Sequence, residues 1–427
     1  MSPGRLPPGT GRGGFRRPGA LLPTGALLPA VALLGASLAG CEPPASAGSA
    51  SGPTADPPPG AISVHRGAAP SLRFDPEGRL WAAFEQDGFV WVAASADAGR
   101  SYSPPVRVPG EAEAVETNGE NRPKIFPTEG GLVYVSWTRK LAGRFTGEIR
   151  FSRSTDGGRS FEAPRTVNDD GLPIGHRFDS LHVDALGHVY LVWIDKRDRE
   201  GARAQGRDYR GAAIYYAVST DRGATFGPNR RIADHACECC RIAIADAPGG
   251  GSAVLWRHIF EPNLRDHAFT VLGPEGLLAP VKRATWEGWE LDGCPHHGPA
   301  MVPDGATGYH LAWFTGAGGR PTIYYGHYEP GTGVLSAQTA LAGPGGSHPD
   351  LERRGDELFV VWKQFEAGES GLRLARSRDG GSSWETGGSP VVTTSGGADH
   401  PFLVAGEGGI FSSWHTEEDG LFLIPAR

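Results

Sequence analysis

Ser154-Thr155-Asp156-Gly157-Gly158-Arg159-Ser160-Phe161 reads S-x-D-x-G-x-S-F, a tight turn closed by an aromatic residue. It recurs as Ser219-Thr220-Asp221-Arg222-Gly223-Ala224-Thr225-Phe226 and as Ser377-Arg378-Asp379-Gly380-Gly381-Ser382-Ser383-Trp384. A looser copy is Ser95-Ala96-Asp97-Ala98-Gly99-Arg100-Ser101-Tyr102. The residue types suit a turn: an Asp side chain accepts hydrogen bonds from nearby backbone N–H groups, and Gly supplies a positive φ. One copy would carry little weight, but four in one chain indicate a repeat architecture.

On these four turns, centred on Asp97, Asp156, Asp221 and Asp379, the chain resembles the Asp-box (BNR) repeat proteins of the sialidase superfamily. That resemblance implies an all-β fold, a propeller of four-stranded blades in which each box joins the third strand to the fourth. It makes the box structural, so the motif points to a fold before it points to any active site.

A second periodicity gives the blade count. Strand-like apolar runs end in an aromatic at Phe84, Trp137, Trp193, Trp256, Trp313, Trp362 and Trp414, about 50–60 residues apart. Boxes follow the first, second, third and sixth of these. Gly273-Pro274-Glu275-Gly276 and Glu329-Pro330-Gly331-Thr332-Gly333 stand where two drifted turns belong. The expectation is a single propeller of seven blades over residues 61–427, with six as the alternative. The last repeat has room for about three strands, and residues 61–65 are expected to add the missing outer one, which would close the sheet edges.

Composition agrees with an all-β chain. The 64 Gly and 36 Pro and the scarcity of helix-period apolar patterns favour short strands and turns. The net charge is -7; residues 1–40 carry four Arg and no acid, which leaves -7 - 4 = -11 on the rest. A mildly acidic body argues against nucleic acid as a partner. Arg5, Arg12, Arg16 and Arg17 precede the apolar run Ala26–Leu34, which is too short to span a bilayer and fits a signal segment. Leu38-Ala39-Gly40-Cys41 resembles the bacterial lipobox. That resemblance implies a signal peptide over residues 1–40, lipidation at Cys41, and a membrane partner through the lipid anchor. Residues 42–60, rich in Pro, Ala, Ser and Gly, read with Cys41 as a flexible tether. The expected location is the cell envelope, outside the cytoplasm.

In a propeller, the segments that open each repeat crowd one mouth of the central channel. Here they hold Asn121-Arg122, His176-Arg177-Phe178-Asp179, Cys237-Glu238-Cys239-Cys240-Arg241, Cys294-Pro295-His296-His297, His348 with Asp350, and Asp399-His400. Two chemistries follow from these residues. The sialidase resemblance implies an arginine clamp on a sugar carboxylate, Arg122, Arg177 and Arg241, with Asp179 or Glu238 as general acid. An anionic glycan of sialic-acid type is then the expected partner. The Arg-Ile-Pro motif and the late Tyr nucleophile of sialidases are not found, since no Tyr follows Tyr328.

The other chemistry is a metal site. Cys237, Cys239, Cys240 and Cys294 with His296 and His297 make a thiolate–imidazole set suited to copper(I) or zinc. His176, His348 and His400 are further candidates. Two disulfides are the alternative in an exported chain. A third reading is a non-catalytic scaffold that presents its loops to an envelope protein. Trp286 and Trp289 are candidates for stacking on a sugar or for packing, and the charged insertion from Asp195 to Arg210 reads as a solvated loop.

Overall fold

The structure is a computed structural model that describes residues 62–426; the signal segment, Cys41 and the tether lie outside the described residues. The chain folds into seven antiparallel sheets in sequence order, a seven-bladed propeller. The innermost strands are Ala68–Phe74, Lys124–Pro127, His176–Val183, Ala243–Asp246, Ala300–Pro303, Gly346–Arg354 and Phe402–Gly406. Each contacts the innermost strand of the next blade, and the seventh returns to the first, so the ring is closed.

The periodic aromatics explain why these runs pair as they do. Phe84, Trp137, Trp193, Trp256, Trp313, Trp362 and Trp414 all lie on the second strand of their blade, and none is more than 5% exposed. Each fills the space between two sheets. A buried aromatic of this size contributes roughly 2–3 kcal/mol, which rewards one such residue per blade.

The four Asp turns join the third strand to the fourth in blades one, two, three and six. Their bonding is the same each time. In blade two, Ser154 Oγ donates to Asp156 Oδ1 at 2.7 Å, and Asp156 accepts from Ser160 N at 2.9 Å and Ser160 Oγ at 2.6 Å. The fifth position must be Gly for two reasons. Gly158 has φ +75°, and a Cβ there would stand 2.4 Å from Trp81 of blade one. Gly223 meets Phe151 and Tyr134 of blade two in the same way, and Gly381 meets Tyr325 of blade five. The turn therefore closes its own blade and seats that blade on the previous one.

Two expectations need correction. The seventh sheet has three strands, and residues 62–65 do not add a fourth. Instead Val64 packs against Leu421, Ala82 and Phe84, and the His65 ring bonds the Leu421 carbonyl at 2.7 Å. The run is too short, and turns too early at Ser63, to sustain a ladder. The insertion after Asp195 is not a solvated loop: it holds a helix, Arg197–Ala204. Arg197 is tied to Asp195 and Asp169 at 2.9 Å each, and Tyr215 donates to Asp198. A charged surface lets that helix form without an apolar stripe, which is why periodicity did not reveal it. The sixth sheet also gains an edge strand, Val392–Thr394.

Candidate functional site

The repeat-opening segments do converge at one mouth of the channel, as links between blades two, four, five, six and seven make plain. Glu120, in the loop before Lys124–Pro127, accepts from Arg241 N and from Gly298 N at 2.8 Å each through Oε2. One buried carboxylate thus fixes the two loops that carry the cysteines. Glu120 is not among the residues singled out from the sequence; its one signal there is that it directly precedes Asn121-Arg122 in a repeat-opening segment.

The arginines enter the mouth already paired. Arg122 meets Asp399 at 2.7 Å, donates to Pro70 O and Gly119 O, and lies 4.3 Å from the Phe402 ring. Arg241 lies 5.0 Å from the same Phe402 ring, donates to Pro299 O and Pro349 O, and is 3.5 Å from Asp350. Arg177 forks onto Glu116 with contacts of 3.0 and 3.2 Å. A substrate carboxylate would compete with Asp399, Asp350 and Glu116 for these donors. Asp179 is buried and accepts from Ser136 and Thr138. Glu238 is held at 2.6 Å by both Lys196 and Arg199. Burial lowers the Lys124 ammonium to about 8 and raises the Glu352 carboxyl, with Asp350 beside it, to about 7.

The cysteines gather more tightly. Cys237 Sγ lies 3.8 Å from Cys239 Sγ and 3.7 Å from Cys240 Sγ, and all three are buried. No sulfur pair among the described residues is bonded. Cys294, exposed on the neighbouring loop, interacts with Cys239. Hydrogen bonds from Cys239 and Cys240 hold the Cys237 thiol well below its ordinary value, with Arg257 and Arg265 adding to the effect. Cys239 is pushed up by its bond to Cys237, and Cys240 by burial. The trio therefore concentrates thiolate character on Cys237.

The histidines divide. His296 is exposed, and His297 packs 4.3 Å from His348 and 4.0 Å from Phe314, so the close cluster of sulfurs contains cysteine alone. His348 and His400 stack at 3.4 Å beside Glu120. Burial keeps His297 and His348 neutral, each lowered to about 3. His176 belongs elsewhere, bonded to Gly147 O and Asp170 where the start of blade three meets blade two. The tryptophans also part: Trp289 packs on Phe314 and under Arg257, whereas Trp286 is 60% exposed with Arg283 over its ring.

The opposite mouth is a wide depression of about 1320 Å³ lined by Arg73, Phe126, Tyr134, Asp184, Arg222 and Glu407, among others. It holds no comparable cluster of thiols or imidazoles among the described residues.

No family model matches the chain, and no curated protein matches it. Solved structures do. An ulvan lyase, a polysaccharide lyase bound to -[GlcA(1-4)Rha3S]-, aligns with a TM-score of 0.54 at 11% identity, over 86% of this chain and 92% of that one. The α-L-arabinofuranosidase Arb93a of Fusarium graminearum aligns at 0.48 and 15% identity, over 72% of this chain and 91% of that one. A Hadza microbial sialidase aligns at 0.47 and 15% identity, over 70% of this chain and 63% of that one. The structural neighbours thus include glycan-active proteins, and the likeness to the lyase establishes the fold.

Proposed function

We propose that this propeller is a metal-handling protein of the cell envelope, tethered through Cys41, whose thiol cluster binds copper(I) or zinc at the channel mouth. The observation that carries this is the sulfur spacing of 3.7 and 3.8 Å. Four sulfurs around an ion at about 2.3 Å lie about 3.8 Å apart, whereas a disulfide needs about 2.05 Å. Cys237, Cys239 and Cys240 supply three buried donors, and exposed Cys294 supplies a fourth from the solvent side. A set with one accessible ligand suits loading and release of an ion more than permanent storage. Buried cations beside the thiols support the thiolate form that a soft metal requires.

The test is metal content with thiol titration, on chain purified anaerobically from its own export route. One equivalent of copper or zinc, lost in Cys239→Ser/Cys240→Ser, is expected. Metal-free protein that takes up neither ion, with all four cysteines bridged by mass spectrometry, would overturn it.

A second reading rests on the fold likeness to a lyase that binds an acidic glycan. In it, Arg122, Arg177 and Arg241 hold a glycan carboxylate, of sialic-acid type in the narrowest version, and Asp179 or Glu238 gives the proton. Glycan-array binding that disappears in Arg241→Ala would favour it over metal handling.

A further inference from the structure

Glu120, His348 and His400 come from blades two, six and seven, and each offers a donor atom within 4.8 Å of the others. Three features set this cluster apart from an ordinary buried polar network. First, its donors make no hydrogen bond. Glu120 Oε1, His348 Nδ1 and His400 Nδ1 are buried without a hydrogen-bond partner, Glu120 is only 3% exposed, and the contact between His400 Nδ1 and Glu120 Oε1 is a long 3.7 Å. Buried polar atoms are nearly always satisfied, so three such atoms together call for a ligand. The His348 and His400 rings are stacked, and the His400 ring must turn out of that stack for both Nδ1 lone pairs to meet one ion. Second, the tautomer of His348 is set. Its Nε2 bonds the His296 carbonyl at 2.9 Å, which makes Nε2 the protonated nitrogen and leaves the Nδ1 lone pair free. A backbone carbonyl on the outer nitrogen is the usual support for a metal-ligating imidazole. Third, the backbone has been shaped to let the rings in. His348 holds φ +54° at a break in the strand register, and a Cβ on Gly119 would lie 2.2 Å from His400 Nδ1.

The other histidine–carboxylate group shows the contrast. In Asp170–His176–Asp195, His176 is bonded at both nitrogens and Asp195 accepts from Trp193 and Arg197. That cluster is satisfied within the protein and needs no ion.

We infer that Glu120, His348 and His400 form a second metal site, distinct from the thiols, that takes a borderline divalent ion such as zinc or cobalt through one carboxylate oxygen and two imidazole nitrogens. His297, whose Nδ1 is also unpartnered and whose ring touches His348, stands next to the site as a further donor. Arg241 is the cation nearest Glu120, with Nη1 4.0 Å from Oε1, and it also pairs with Asp350 at 3.5 Å; Arg122 and Lys363 add positive charge beside His400, which a bound ion must overcome. The N/O donor set prefers harder ions than the cysteines do, so the two centres sort different metals at one mouth. This site does not depend on the thiol centre.

Cobalt(II) separates the two sites. Thiolate ligation gives intense charge-transfer absorption in the near ultraviolet, while an imidazole–carboxylate site gives ligand-field bands alone. Titration of the full chain should show a second equivalent with ligand-field bands only. That equivalent should persist in Cys239→Ser/Cys240→Ser, disappear in His348→Gln and in His400→Gln, and weaken at least tenfold in Glu120→Gln, which keeps an acceptor for Arg241 N and Gly298 N. Near-ultraviolet circular dichroism reports whether each variant is folded. Undiminished uptake in both histidine variants, or no uptake by folded Cys239→Ser/Cys240→Ser, would overturn the assignment. Failure of the thiol proposal reads separately, as loss of the charge-transfer band in the unmodified chain.

Discussion

Arg257 lies within electrostatic reach of Cys237 and has no carboxylate partner within 4 Å among the described residues. Arg257 is 2% exposed, and its guanidinium spends its donors on the carbonyl oxygens of Arg265, His297 and Phe314. A buried cation bonded only to neutral oxygens favours an anion nearby, and the thiols supply it. Arg257→Met should slow alkylation of the cysteines at pH 7 at least tenfold and move the pH of half-maximal reactivity upward. Arg257→Lys keeps the charge and should restore most of the rate. Equal rates in all three proteins would show that Arg257 serves packing alone.

Cys294 differs from the other cysteines in being exposed and in belonging to the next blade. Cys294→Ser should weaken metal binding less than Cys239→Ser, because three buried sulfurs remain. It should also slow transfer of the ion to a soluble chelator, since the accessible ligand is gone. Competition with a chromogenic chelator measures both; a larger loss for Cys294→Ser than for Cys239→Ser would contradict the assigned order of donors.

The glycine of the turn in blade two carries two constraints at once, a positive φ and contact with Trp81. Gly158→Ala should cost about 2–4 kcal/mol, since left-handed strain and overpacking add. Gly157→Ala, also at positive φ but with nothing within 4 Å of its Cβ, should cost only about 1 kcal/mol. Urea unfolding compares them, and equal costs would show that strain, not inter-blade packing, sets the price.

His310 is buried against Tyr325 Oη, faces His327, Asp304 and Arg353, and is lowered by burial to about 4. Its folded value lies below the unfolded value near 6.5, so the unfolded chain binds the extra proton. Stability from this group is complete above about pH 6.5 and is lost as pH falls toward 4, on the order of 3 kcal/mol in all. Glu352 works in the opposite sense: raised to about 7, it lowers stability as pH climbs from its unfolded value near 4.3. His310→Gln should flatten the acid limb of a thermal-melt profile. An unchanged slope between pH 6 and 4 would count against the buried neutral state.

The fold was legible in the sequence because propellers repeat their constraints. Trp193 or Trp313 alone would be one buried aromatic, but the series from Phe84 to Trp414 recurs at the period of a blade. The turns added register, since Asp156 and its counterparts fix where a third strand ends. The site was legible only in part. Repeat-opening positions located the mouth, and the Cys237–Cys240 run advertised itself by composition. What stayed hidden was pairing across blades. Nothing local to Glu120 announces that it bonds Arg241 N and Gly298 N, residues 121 and 178 positions away. Nothing local to Arg122 announces Asp399. The closure near His65 failed for a local reason, an early turn at Ser63 that pattern alone does not resolve.

At the outer edge of the seam between blades seven and one, a histidine–carbonyl bond and a few apolar contacts stand in place of a fourth strand. Blades four and five, which carry the cysteines, lie across the ring from that junction of blades seven and one. If the protein hangs from its amino-terminal tether, any pull reaches the wheel at this outer junction. Force would then peel residues 62–65 from blade seven before it disturbed the cysteine-bearing rim, and the seam would act as a mechanical fuse.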